Sequence, residues 1–158
     1  MIEKDVAAGW TVLVVDDEPD NIGVVEAILN YYCATVHAAA NGSEGLNTLE
    51  NVLPTFILLD LSMPGMDGWQ MLTHIRANPA TARIPVIALT AHAMPEDVER
   101  VQVAGFDGYI PKPLRLATFL LEIQTCLERH AAKRSSTPPT IEGTEQEHGL
   151  QPVDYHRR

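Results

Sequence analysis

The feature that most narrows the possible folds is a series of short apolar runs, each too short for a helix and each followed by an amphipathic stretch. Thr11–Val15 (TVLVV) is rich in β-branched residues, and residues 56–59 (FILL) and 86–89 (VIAL) have the same character. Runs of this length suit strands buried on both faces, as in a parallel sheet. Residues 35–38 and 108–110 are weaker runs that suit shorter strands nearer the sheet edges.

Helical patterns lie between them. Pro19 is a favourable first-turn residue, and Ile22, Val25 and Leu29 follow at spacings of three and four, predicting one buried stripe. Leu46, Leu49 and Val52 repeat the pattern, as do Leu72 and Ile75. Pro95 opens a fourth helix with Val98 and Val101 inward and Gly105 as its stop. Leu116, Phe119, Leu120, Ile123 and Leu127 predict a fifth from about residue 114 to 130. Five β-α units in succession predict an α/β domain, doubly wound, with a five-stranded parallel sheet and helices on both faces. Ligands of such sheets sit beyond the carboxyl ends of the strands, where strand order reverses.

A length of 158 residues suits one domain. Residues 1–9 read as an N-terminal extension, 10–130 as the domain, and 131–158, rich in Ser, Thr, Pro and scattered charge, as a flexible polar tail. Cys33 and Cys126 stand far apart without a CxxC partner, which predicts reduced, buried thiols. With no basic-apolar leader and no apolar run approaching a membrane span, a cytoplasmic protein without membrane insertion is expected. The net charge of −10 argues against direct nucleic-acid binding, which needs clustered Lys and Arg. Residues 1–60 hold ten acidic residues against one base, Lys4, so that half either repels anions or holds a cation.

The strand ends carry the chemistry. Strand one ends in Asp16-Asp17 with Glu18 next, strand three in Asp60, strand four in Thr90, and Lys112 follows the fifth. Three carboxylates within ~4 Å of one another would repel by roughly 4 kcal/mol per pair at an effective dielectric of about 20, so the arrangement calls for a cation. Oxygen donors without sulfur suit a hard ion such as Mg²⁺. An Asp carboxylate can also attack phosphorus, with the cation, Lys112 and the Thr90 hydroxyl taking up the charge of the transferred group.

These residues resemble the receiver domains of two-component response regulators, the CheY-like family, through VLVVDDE at 12–18, ILLDLSMPGMDG at 57–68, ALTA at 88–91 and GYIPKP at 108–113. The resemblance covers about residues 10–130 and implies the flavodoxin-like strand order 2-1-3-4-5. It implies Asp60 as phosphoacceptor, with Mg²⁺ held by Asp17, Asp60 and the main-chain carbonyl of Ser62, and by Asp16 through water. Thr90 and Tyr109 match the switch pair, Lys112 the lysine that pairs with the phosphoryl group, and the Lys112-Pro113 bond is expected to be cis. Ser62 and His92 occupy places whose side chains tune the lifetime of the acyl phosphate. Trp69 reads as partial core.

A single-domain response regulator of a two-component system or phosphorelay is therefore expected. It would take a phosphoryl group from a sensor histidine kinase or a histidine phosphotransfer protein. It would then switch a surface for a downstream protein target or pass the group on, catalysing only its own phosphorylation and dephosphorylation. The polar tail is too short to supply an output domain. The flank of the first helix carrying Asp20, Asn21, Val24 and Ile28 is expected to face outward beside the active rim and to dock the histidine-bearing partner. Two competitors stand beside this. A phosphorylation-independent docking module would not need all five chemical residues. A hydrolase working through an aspartyl phosphate would need Asp-x-Asp after strand one, where Asp16 and Asp17 are adjacent. A nucleotide or FMN site lacks its phosphate cradle after strand one.

Overall fold

The computed structural model describes residues 2–136. The elements run β1 (Thr11–Val15), α1 (Pro19–Tyr31), β2 (Thr35–Ala39), α2 (Gly42–Leu49), β3 (Phe56–Asp60), α3 (Gly68–Ala77), β4 (Val86–Thr90), α4 (Pro95–Ala104), β5 (Gly108–Pro111) and α5 (Phe119–Ser136). All pairings are parallel and the strand order is β2-β1-β3-β4-β5, as the resemblance implies. Parallel neighbours cannot be joined by a tight turn, so each strand returns through a helix.

Side-chain alternation divides the core between the two faces of the sheet. Val12, Val14, Leu58, Ile87 and Leu89 pack against Val25, Ile28 and Leu29 of α1 and Phe119 and Ile123 of α5. Leu13, Val15, Ile57, Leu59 and Ala88 point the other way, onto Leu49 of α2, Met71, Leu72 and Ile75 of α3 and Val101 of α4. Each fully buried Val, Leu, Ile or Phe contributes about 1.5–3 kcal/mol. Strands β3 and β4 are buried along their whole length, so the polar residues that end them, Asp60 and Thr90, are buried too. A polar group in that position must find partners or pay a desolvation cost.

Local sequence sets the helix ends. Proline opens α1 and α4, the Asn41 side chain accepts the Glu44 N–H to cap α2, and Asp67 with Gln70 forms a reciprocal capping box on α3. Gly105 ends α4 at φ 107°, a left-handed position where a side chain would be strained.

Four expectations are corrected. Ile28 does not face outward: it is 5% exposed and sits in the core with Val25 and Leu29. At 100° per residue it lies about 60° beyond Val25, on the side away from Leu29 and Ile22, so the stripe is centred further round α1 than Ile22, Val25 and Leu29 suggest. Leu116 is 73% exposed, because residues 114–118 close a turn after Pro111 and Pro113, with Thr118 and Phe119 N–H groups donating to the Arg115 carbonyl. Helix α5 consequently starts at Phe119, and it runs to Ser136, past the expected boundary at 130. Cys33 is exposed, whereas Cys126 is buried as expected. Cys33 has φ 71° and follows the end of α1, where the Ala34 N–H donates to the Leu29 carbonyl; the left-handed turn aims its side chain away from the core.

The segment ahead of β1 is not detached from the domain. Ala7 is fully buried and its N–H donates to the Tyr32 carbonyl, and Trp10 meets Phe56 edge-on at 5.3 Å. Residue 10 is thus no boundary of packing. Of the expected tail, residues 131–136 belong to α5 and 137–158 lie outside the described residues.

Candidate functional site

The carboxyl ends of β1, β3 and β4 and the segment after β5 meet at one rim. Asp16 follows β1, is fully buried, and is held by its own main chain donating to the Ala39 carbonyl. Its Oδ1 accepts the Glu18 N–H at 2.9 Å. Asp60 ends β3 and is 3% exposed; its Oδ1 accepts the Ser62 N–H at 3.1 Å. Lys112 is positioned by its main-chain N–H on the Thr90 carbonyl at 2.7 Å and by the cis Lys112-Pro113 bond that the resemblance implies. Its Nζ lies 3.2 Å from Asp16 Oδ2 and 3.2 Å from Asp60 Oδ1.

The local fold leaves little room behind Asp60. A Cβ at Gly68 would stand 2.4 Å from the Asp60 carbonyl oxygen and 2.8 Å from Leu61 Cα, both main-chain atoms that cannot yield. Glycine at the start of α3 is therefore what lets the helix approach the end of β3, an approach sealed by the Gly68 N–H on the Leu61 carbonyl.

Electrostatically, one ammonium faces two buried carboxylates. Burial raises the Asp60 pKa to about 6, the negative charge of Asp16 adds to the rise, and the Ser62 N–H and Lys112 oppose it. Burial works against the Lys112 charge, but Asp16 and Asp60 outweigh it and hold the lysine above its ordinary value. Asp60 Oδ2 is the informative atom: it is buried and has neither a hydrogen bond nor an ion-pair contact. A polar oxygen left in that state costs about 1–3 kcal/mol or more, so the site is built for something not supplied by the chain.

Acidic groups continue outward from there. One oxygen each from Asp16, Asp17 and Glu18 lie within 4.8 Å of one another, with Asp16 buried and Glu18 exposed. The sequence argument grouped Asp16, Asp17 and Asp60; the structure adds Glu18 and joins Asp60 to Asp16 through Lys112. Glu18 was legible in the run DDE as the next acid, yet its Cα position alone does not reveal that the chain turns its carboxylate back. The donors are all carboxylate oxygens, a set that fits a hard divalent cation.

The other expected residues fall in three groups. Thr90 is buried at the rim, but its hydroxyl is engaged with the main chain of His92, donating to the carbonyl at 3.0 Å and accepting the N–H at 2.9 Å. Ser62 and His92 are exposed beside the site, and Tyr109 is half-buried against the Val101–Phe106 side of the core. Trp69 is half-buried, edge-on to Phe106 at 5.6 Å with the Arg100 guanidinium 4.9 Å from its ring centre. On α1, Asp20 is exposed, Asn21 and Val24 are half-buried, and Ile28 leaves the surface for the core.

The chain is similar to known proteins. Residues 12–124 match the family described as the response regulator receiver domain. The uncharacterized 14.6 kDa protein in the sodA1 3' region of Leptolyngbya boryana is 38% identical over 121 residues, covering 76% of this chain and 92% of that one. The sensor histidine kinase GacS of Pseudomonas protegens is 33% identical over 137 residues, 82% of this chain but 15% of the kinase. Among solved structures, the chemotaxis protein CheY4 of Vibrio cholerae superposes with a TM-score of 0.71 at 28% identity, covering 75% of this chain and 99% of that one. The chain belongs to the response regulator receiver domain family, whose place is in phosphorelay signalling.

Proposed function

We propose that Asp60 is the phosphoacceptor of a signalling switch and that its Oδ2 is the attacking atom. The supporting observation is that this oxygen is buried, unpartnered and beside the Lys112 ammonium held on Oδ1. In the step, Oδ2 attacks the phosphorus of a partner's phosphohistidine; the new O–P bond forms as the N–P bond breaks, and the imidazole leaves with the electron pair. Asp17, Asp60 and the Ser62 main-chain carbonyl are the residues that would hold Mg²⁺, with Asp16 acting through water. When bound, that ion neutralises charge on the transferred group. Lys112 turns from Asp60 Oδ1 to a phosphoryl oxygen. The Thr90 hydroxyl exchanges the His92 main chain for another, and Tyr109 follows it inward.

Phosphorylation leaves a side chain of charge about −1.5 to −2 at residue 60, and the exchange of Thr90 partners is the local event that biases the surface near β5 and α5. Exposed Ser62 and His92 flank the path of water to the acyl phosphate and set its lifetime. Asp20, Asn21 and Val24 dock the histidine-bearing kinase or phosphotransfer protein. The chain acts in the cytoplasm, as a switch that catalyses only its own phosphorylation and dephosphorylation; among the described residues no helix is long and apolar enough to cross a membrane.

Incubation with a small phosphodonor and Mg²⁺, followed by intact mass, tests the acceptor. One phosphoryl group is expected on the natural chain and none on Asp60→Ala; a full gain on Asp60→Ala would overturn the assignment. Exchanging Asp20, Asn21 and Val24 is expected to slow transfer from a phosphohistidine partner and to leave the small-donor rate unchanged. An equal loss of both rates would remove that flank from docking.

A further inference from the structure

At the opposite end of the sheet, roughly 15 Å from Asp60 along the strands, a second charged cluster has no part in this chemistry. Arg76 of α3 donates through Nη1 to the Ala82 and Ile84 carbonyls at 3.0 and 2.7 Å. Through Nη2 it donates to the Gly105 carbonyl at 3.1 Å and to Asp107 Oδ2 at 3.0 Å. Asp107 Oδ2 also accepts the Val86 N–H at 2.8 Å, and its Oδ1 lies 2.7 Å from His130 Nδ1 of α5. The network ties α3, β4, β5 and α5 together and spends the terminal donors of Arg76. That guanidinium is a fixed wall, its charge balanced by Asp107.

The wall forms one side of an open surface cavity of about 580 Å³ whose lining also includes Arg83 and Arg134. Both are exposed, and among the described residues neither enters an ion pair. Two guanidinium groups with no ion-pair partner among the described residues thus line one cavity on a chain whose net charge is −10. The loop at 82–84 and the end of α5, distant in sequence, bring them there, and Gly105 and Asp107 complete the lining.

We propose that this cavity binds a small phosphate-class polyanion, gripped by the Arg83 and Arg134 guanidinium groups. Planar, permanently charged forks suit phosphate oxygens in pairs. The volume falls in the range of small-ligand sites. Size also follows from charge: screening acts over about 8–10 Å, so a small anion feels chiefly the local arginines, whereas an acidic macromolecule also meets the rest of a chain whose net charge is −10.

Titration calorimetry with pyrophosphate in metal-free, low-salt buffer tests this, beside ¹⁵N-labelled amide spectra. Saturable binding is expected, with shifts centred on Ala82, Gly105 and Asp107, and a loss of about tenfold or more in the Arg83→Gln/Arg134→Gln chain. Arg83→Gln alone is expected to lose part of it. Both side chains are exposed, so the variants keep the native circular dichroism and are phosphorylated by a small donor at the natural rate. Absence of saturable binding, equal affinity in the double variant, or shifts centred on Asp60 and Lys112 would each overturn the site. Tighter binding of a poly-glutamate peptide than of pyrophosphate would overturn the ligand class.

Discussion

Replacing Asp60 by Asn should stabilise the metal-free protein, by an amount that depends on pH. Folding raises the Asp60 pKa from 3.8 to about 6, chiefly through burial. The folded state therefore favours the protonated acid, and ionising it costs stability as pH climbs from 3.8 towards 6. Above both values the cost levels at about 3 kcal/mol, because each unit is worth about 1.4 kcal/mol. The attraction of Lys112 is already inside that shift. Asn resembles the protonated acid in shape and cannot ionise, so it avoids the cost. At pH 7.5 without metal we expect Asp60→Asn to gain about 1–3 kcal/mol, or very roughly 3–9 °C in Tm. Near pH 4 the gain should shrink towards zero. Urea unfolding followed by tryptophan fluorescence, natural chain against variant at each pH, isolates the difference, since other titrating groups cancel. Adding Mg²⁺ should narrow the gap by stabilising the natural chain through mass action. A variant less stable than the natural chain at pH 7.5, or a gap equal at pH 4 and 7.5, would refute the burial argument.

Three further outcomes follow from the same geometry. Lys112→Ala leaves Asp16 and Asp60 without their shared cation and should cost about 3–5 kcal/mol in urea unfolding, with slower uptake of phosphoryl groups from a small donor. Gly68→Ala drives a methyl into the Asp60 carbonyl and the Leu61 backbone; a loss of about 1–3 kcal/mol is expected together with slower phosphorylation, whereas a neutral effect on both would mean that α3 yields freely. Cys33→Gly relieves a left-handed backbone at φ 71° and should gain about 1 kcal/mol by the same denaturation assay.

What could be read from the chain follows from which interactions are local. The runs at β1, β3 and β4 were legible because strands buried on both faces must be continuously apolar, and the strand ends then placed Asp16, Asp60, Thr90 and Lys112 on one rim. Strand order was not legible from periodicity and came from the resemblance. Ile28 was misplaced because a stripe of three residues leaves the phase of a helix uncertain by about one position. Leu116 continued a helical pattern that two nearby prolines interrupt, and Cys33 was judged by residue type when its backbone decides its exposure. Helix α5 outlasts its apolar pattern because Ala131, Ala132, Lys133 and Arg134 are good helix formers without facing the core. The Arg76–Asp107–His130 cluster left no motif, since its members stand 31 and 23 residues apart and meet only through the fold.

The acceptor atom is the centre of the account, and chemical trapping tests it most directly. Borohydride reduction of the phosphorylated chain converts an aspartyl phosphate to homoserine, which peptide mass mapping locates. Homoserine at residue 60 alone, formed only when phosphodonor and Mg²⁺ are both present, is the predicted result. Homoserine at Asp16 or Asp17, or a phosphoryl group carried on another residue with Asp60 intact, would contradict it.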